Sequence, residues 1–260
     1  MLQSKLEAYL ATQPATVAVV WKDLTDGTGF SIAGDKVFPS ASTIKLVIMA
    51  TLLEEVAAGK RALTDTLTLT EAMLTGGDGV LKELKPGHTF TLEEILTLMI
   101  IVSDNMATNI FIHLLGMDAI NAQAKKRGLT AAHLGRCMMD GEAKKQGHDN
   151  YISAEDMANL LEQIYTGKFV NAEMSALALG ILKRQQQMGR LQLYLPEEVL
   201  VAHKCGDLDF LEHDGGIVLL EGRPYILVVL TCNNTTNKDG REIIGTISKM
   251  VYDEALWQTR

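Results

Sequence analysis

The sequence predicts an α+β fold for this 260-residue chain. Three observations carry that prediction. Short β-branched and apolar runs gather at the two ends of the sequence. The long middle stretch has helical spacing of apolar residues almost throughout. Turn signals separate the segments, with no internal repeat, low-complexity tract or long linker. The simplest architecture joins the first and last β segments in one antiparallel sheet covered by terminal helices, with an all-helical lobe inserted. Residues 1–33 with 192–260 then form a discontinuous α/β lobe and residues 34–191 the helical lobe. A pocket is expected between the two.

Leu2, Leu6, Tyr9 and Leu10 space a helix over Leu2–Ala11. Thr16–Trp21 reads as a strand, and Asp26-Gly-Thr-Gly turns it into a second at Phe30–Ile32. Helices are expected at Ser42–Ala58, Leu92–Val102, Met106–Leu115, Met117–Arg127, Ala154–Thr166 and Ala172–Arg184. Thr91 and Ser153 stand where N-caps belong, and Asp65 at a turn. The closing strands are Val199–His203, Gly216–Leu220 and Tyr225–Thr231, the last two joined by Glu221-Gly-Arg-Pro. A final helix is expected over Gly240–Leu256, after Lys238-Asp-Gly.

Apolar residues make up 47% of the chain and charged residues 22%, and the net charge is -8. That balance argues against non-specific nucleic-acid binding or a basic membrane patch. The longest apolar stretches, Leu46–Leu53 and Ile95–Val102, fall far short of the roughly 20 residues of a membrane-spanning helix. No basic segment leads into an apolar run at the N-terminus. As written, the sequence predicts a cytoplasmic protein, or a secreted or periplasmic one if an export signal has been trimmed. Cys137, Cys205 and Cys232 are odd in number and lack metal-ligand spacing. They fit a reduced compartment better than a disulfide framework, and no metal or cofactor is expected. A monomer or weak oligomer is expected.

Three short motifs carry chemistry: Ser42-Thr-Ile-Lys45, Ser103-Asp-Asn105 and Lys204-Cys-Gly206. A serine at a helix start with a lysine three residues on puts a nucleophile and a base on one face. Alone, each motif has a plain reading as well. Ser-x-x-Lys arises by chance, Ser103-Asp-Asn fits an N-cap after an apolar helix, and Lys204-Cys-Gly fits the polar end of a buried strand.

In this order the three resemble the signature of class A β-lactamases and penicillin-binding proteins. The flanking segments Phe38-Pro-Ser-Ala-Ser-Thr-Ile-Lys, Leu98-Met-Ile-Ile-Val-Ser-Asp-Asn-Met-Ala-Thr-Asn and Val201-Ala-His-Lys-Cys-Gly-Asp-Leu extend the likeness, which covers essentially the whole chain. The resemblance implies a two-lobed β-lactamase/transpeptidase-like fold. It implies Ser42 as acylated nucleophile, Lys45 as base or proton relay, and Ser103 as proton bridge to the leaving nitrogen. Asn105 would hydrogen-bond the substrate amide and orient Lys45, while Lys204, Cys205 and Gly206 would meet a substrate carboxylate. The backbone N–H groups of Ser42 and Asp207 would form the oxyanion hole. His213 stands where the family often has a carboxylate-binding arginine; the plainer reading is a hydrogen-bonded surface histidine between strands. Arg136 and Asp149 would close a loop as an ion pair, or be a surface pair worth little.

Two residues depart from the family pattern. The glutamate that activates deacylating water is replaced by Met138, and a thioether is no general base. Asp140 and Glu142 substitute only if the loop folds differently. Cys205 replaces a threonine or serine and donates more weakly. Cys205 as nucleophile is disfavoured although His203 and Lys204 are close in sequence, since adjacent strand residues point to opposite faces and an activated thiol needs more than a nearby charge. Gly76-Gly-Asp-Gly follows no strand and reads as a pocket rim, and Met138-Met139 as loop packing. The expected function is a serine acyl-hydrolase acting on an amide, a β-lactam or D-Ala-D-Ala-like peptide bearing a carboxylate, with weak or no class A-type deacylation. The alternative is a non-turnover protein that binds or senses penicillin or peptidoglycan fragments.

Overall fold

The computed structural model describes residues 2–258. Helix α1 (Leu2–Leu10) leads into β1 (Thr16–Asp23) and β2 (Gly29–Ile32). A short β3 (Phe38–Pro39) and a 3-10 turn at Ala41–Ile44 deliver the chain into α2 (Lys45–Ala57). β4 (Thr66–Thr68) and β5 (Thr89–Thr91) pair beside the helices α3 (Leu92–Ile101), α4 (Asn105–Leu115) and α5 (Met117–Lys126). A one-turn α6 (Gly141–Lys145), β6 (Tyr151–Ile152), α7 (Ala154–Tyr165) and α8 (Ala172–Leu182) follow. β7 (Val201–Leu208), β8 (Leu211–Val218), β9 (Tyr225–Cys232) and α9 (Asn237–Gln258) close the chain.

The two ends of the sequence meet in one sheet of order β2-β1-β9-β8-β7. β1 lies antiparallel to β9, with Val19 opposite Val229. Alternation along the strands gives the sheet two apolar faces. Ala18, Ala202, Ile217, Ile226, Val228 and Leu230 face the helical block and share its core. Val19, Val201, Val218, Leu227 and Val229 face the other way, against Leu2 and Leu6 of α1 and Ile243, Ile247 and Val251 of α9. Residues 45–53 of α2 are all buried, which marks α2 as a central helix of the block.

Local signals set the helix starts. Thr91 forms a capping box with Glu94. The Ser153 hydroxyl accepts from the Asp156 N–H at 3.1 Å. Asp104, not Ser103, caps α4 by accepting from the Ala107 N–H at 2.9 Å.

Two closing strands differ from expectation. β7 begins two residues after Val199 and runs on to Leu208, so the whole Lys204-Cys-Gly motif lies inside it. β8 begins at Leu211 rather than Gly216, so Glu212, His213 and Asp214 are strand residues and fully buried.

Candidate active site

Ser42 sits in the 3-10 turn, three residues before Lys45. Ala41 before it adopts φ 46°, a left-handed value that strains a residue with a Cβ. The turn is pinned by Ser40 N–H donating to Asn150 O at 2.8 Å and by the Thr43 hydroxyl donating to Ser40 O at 2.6 Å. Ser42 is half-buried, and its hydroxyl makes no hydrogen bond to any described residue. Edge strand β7 lies directly against the turn. A Cβ on Gly206 would stand 2.6 Å from Ser42 N. Only glycine lets the strand approach the serine amide this closely.

A buried cluster of two lysines and a serine stands beside Ser42. Lys45 Nζ donates to Ser103 O at 2.6 Å, Ser103 Oγ at 3.0 Å and Asn105 Oδ1 at 2.9 Å. Lys204 Nζ donates to Ser103 Oγ at 3.1 Å and Cys205 O at 2.6 Å. All three side chains are fully buried. Ser103 takes φ 55°, which aims its hydroxyl between the ammonium groups at the cost of backbone strain. Burial first, and the nearby Lys204 charge second, push the Lys45 pKa well below the ordinary lysine value. Burial lowers Lys204 as well. A lysine held this way reaches its neutral, proton-accepting form more readily than an exposed lysine does.

Asn105 is fixed from both ends, since its amide also donates to Gly76 O at 3.3 Å. Asp104 folds the 76–81 segment over the site. Its Oδ2 accepts from the Val80 and Leu81 N–H groups at 2.7 and 2.8 Å. Gly79 has φ 116°, and a Cβ there would lie 2.3 Å from the Asp104 carboxylate. Gly76-Gly-Asp-Gly is thus shaped by contact with Asp104 and Asn105, and Gly77 and Asp78 line the Ser42 pocket.

The opposite wall is the 136–149 loop. Arg136 Nε and Asp149 Oδ1 pair at 2.8 Å, and both side chains are largely buried, so this is no loose surface contact. The Asn150 carboxamide accepts from the N–H groups of Gly135 and Arg136 at 2.8 and 3.0 Å. Asn109 grips the loop at one residue. It accepts from Met138 N–H at 2.7 Å and donates to Met138 O at 3.1 Å. The Met138 side chain is 8% exposed and lines the Ser42 pocket, whose volume is about 340 Å³. Asp140 caps α6 through Ala143 N–H at 2.9 Å. Glu142 is exposed and pairs with Lys145 at 3.6 Å.

Behind β7, three residues take unexpected places. The Cys205 thiol is fully buried and donates to Gln187 Oε1 at 3.2 Å, and burial pushes its pKa up. It is committed to the protein rather than offered to a carboxylate, and it is no activated thiolate. His213 is not at the surface. Its Nε2–H donates to Pro39 O at 2.9 Å and its Nδ1 accepts from Thr231 N–H at 3.2 Å. Burial lowers its pKa to about 4, so the ring is neutral and has no N–H left for a carboxylate. Arg190, which no sequence motif marked, donates to Asp207 Oδ1 and Glu212 Oε2, both at 2.6 Å. It thereby fixes the side chain of Asp207, which lines the Ser42 pocket. Among the described residues no cluster of three His, Cys, Asp or Glu could hold a metal ion, and no helix is long and apolar enough to cross a membrane.

Residues 1–255 match the family model described as the beta-lactamase enzyme family. A β-lactamase of Bacteroides uniformis is 24% identical over 281 residues, covering 97% of this chain and 90% of that protein. The crystal structure of a β-lactamase from Sphaerobacter thermophilus DSM 20745 superimposes with a TM-score of 0.89 at 30% identity, covering 98% of this chain and 96% of that one. A mutant of PBP-A in an acyl-enzyme complex with penicillin G superimposes equally well, with a TM-score of 0.89 at 29% identity over 97% of this chain and 95% of that one. A match from end to end, laid over this fold and this lysine–serine–lysine cluster, places the chain in the beta-lactamase enzyme family as a serine hydrolase.

Proposed function

We propose that the protein is acylated at Ser42 by amide substrates of the β-lactam or D-Ala-D-Ala type and releases the acyl group slowly. The observation that carries this reading is the contact of Ser103 Oγ with both Lys45 and Lys204, beside a serine with a free hydroxyl. Neutral Lys45 takes the Ser42 proton as Oγ attacks the carbonyl carbon. The backbone N–H groups of Ser42 and Asp207 receive the oxyanion, a contribution on the order of 3 kcal/mol for one donor. The proton passes through Ser103 to the leaving nitrogen as the C–N bond breaks, which leaves an acyl-Ser42 ester. Lys204 supplies the positive charge beside this transfer and towards a substrate carboxylate. Hydrolysis of the ester needs a base for water, and the loop residue that Asn109 holds against the pocket is Met138, which has none to offer.

Met138 also favours the second reading, a protein that is acylated and stays so, as a penicillin-binding or sensing module would. Intact-mass measurement with benzylpenicillin tests both. The expected result is a covalent adduct that persists for minutes and is lost in Ser42→Ala. Rapid product without an adduct would make the protein an efficient β-lactamase and refute slow release. Neither adduct nor product, with no cleavage of D-Ala-D-Ala peptides or simple esters, would refute the acyl-enzyme itself.

A further inference from the structure

A second cavity, of about 750 Å³, lies beside the Ser42 pocket. Leu67, Met73, Leu74, Ile110 and Leu114 make most of its apolar lining. Met138, Met139 and Asp140 line both cavities, so the two spaces share one wall. Two of the three wall residues carry flexible thioether side chains, which re-pack around apolar guests, and the third, Asp140, turns a carboxylate oxygen to the N-terminus of α6. Met139 stands at φ 62° and is 61% exposed, and Leu74 on the rim is 67% exposed. A strained residue holding an apolar side chain up at the boundary between two cavities is a feature of ligand clamps. Three of the polar lining groups, Asn109, Thr75 and Asp140, are already engaged, and exposed His113 completes the polar part of the lining. Asn109 is committed to Met138 and Thr75, and Thr75 donates to Met73 O at 3.0 Å. What remains is a concave apolar space of the size that holds small organic ligands.

From this continuity we infer that the cavity is a subsite for an apolar acyl chain on the acyl half of the substrate. The inference rests on the acyl-Ser42 reading and names its substrate class. In that mechanism the leaving group faces Ser103 and Lys204, and neither residue lines the second cavity. The wall of Met138 and Met139 is therefore left for the group that stays on Ser42. A short acyl group would not reach past the shared wall. A medium-length alkyl chain would fill the space and displace water from Leu74 and Met139.

A ladder of p-nitrophenyl esters from acetyl to decanoyl tests this. Each methylene that enters an apolar site contributes up to about fourfold in affinity for the acylation transition state. The acylation kcat/KM is expected to rise with chain length by roughly that factor per methylene and to level off when the cavity is full. Leu74→Asp, at an exposed rim position outside the chemistry, is expected to flatten the dependence while leaving acetyl transfer unchanged. A flat profile in the unmodified protein, or an unchanged slope in Leu74→Asp, overturns the inference. Calorimetry with N-decanoyl- and N-acetyl-D-alanine on Ser42→Ala separates the two ideas. Tighter binding of the decanoyl compound without acylation of Ser42 by any ester keeps the subsite and refutes the acyl-enzyme reading. Equal binding of the two refutes the subsite whatever the acylation result.

Discussion

Ser103 Oγ accepts from Lys45 and from Lys204 at nearly the same distance, 3.0 and 3.1 Å. Two ammonium groups converging on one buried hydroxyl oppose each other, and that opposition adds to desolvation in favouring neutral Lys45. In the proposed reading acylation is well provided for at the level of single residues, while Met138, the loop residue that Asn109 holds against the pocket, offers no base. Met138→Glu addresses that deficit, because Asn109 fixes the backbone on both sides of residue 138 and so fixes where the new carboxylate starts. Burial would raise the pKa of the introduced acid towards the useful range for a general base. Release of the benzylpenicilloyl adduct, followed by mass, is expected to quicken by about 100-fold, the low end for general-base catalysis. Tm should fall, since an acid replaces a well-packed thioether at a nearly closed position. A carboxylate that lowers Tm but leaves release unchanged would show that another step limits turnover. Ser42, Lys45, Ser103 and Lys204 were legible as motifs. Asn109 and Asp104 were not legible as clamps, because their partners are backbone amides 29 and 24 residues away in sequence, and backbone amides carry no residue signature.

At the scale of elements, β8 shows what a hydrophobicity pattern cannot reveal. Leu211-Glu-His-Asp-Gly-Gly-Ile-Val is wholly buried although three of its first four residues are polar. Glu212 takes Arg190 and Arg241 at 2.6 and 2.9 Å, and Asp214 takes His203 and the Leu191 N–H at 2.9 and 3.2 Å. The strand is internal because its polar groups find partners on other elements, and periodicity sees only the polar residues. His213 ties this strand to Pro39 and packs edge-on against Phe38, so it joins the sheet to the approach of the nucleophile turn. Its pKa is lowered from 6.5 to about 4 by burial, with the backbone contacts to Pro39 and Glu212 opposing. As pH falls below 6.5 the unfolded chain takes up a proton that the folded ring refuses until about pH 4. The stabilisation is thus complete above 6.5 and is lost across that window. Near pH 4.5 the loss amounts to about 2.5 kcal/mol. His213→Gln, which can still donate to Pro39 O, should remove that share of the acid sensitivity. Urea midpoints at pH 7.5 and 4.5 check this. An equal fall in both proteins would assign the acid loss to other groups.

At the scale of the whole molecule, the two ends of the chain meet where the sequence placed them, in β1 and β9, because alternating strands and amphipathic terminal helices leave a strong pattern. The sequence pattern also suggests a division into an α/β part and a helical part. What that division hides is how the core is shared. The inner sheet residues Ala202, Ile217, Ile226, Val228 and Leu230 belong to the same apolar cluster as α2, α3, α4 and α7. The helical block, residues 34–191, therefore shares its core with the sheet, and one face of the sheet would be bare without it. A single unfolding transition follows, because neither part can lose its structure without exposing the other. Tryptophan fluorescence reports mainly the sheet side, where Trp21 lies in β1 and Trp257 in α9. Far-UV circular dichroism reports mainly the helices. The two probes are expected to give the same urea midpoint and the same slope, and residues 34–191 expressed alone should lack cooperative unfolding. A helical signal that outlasts the tryptophan transition would show that the helical block stands without the sheet, and the active site, built from the turn before α2 and the edge of β7, would then come apart before the helices do.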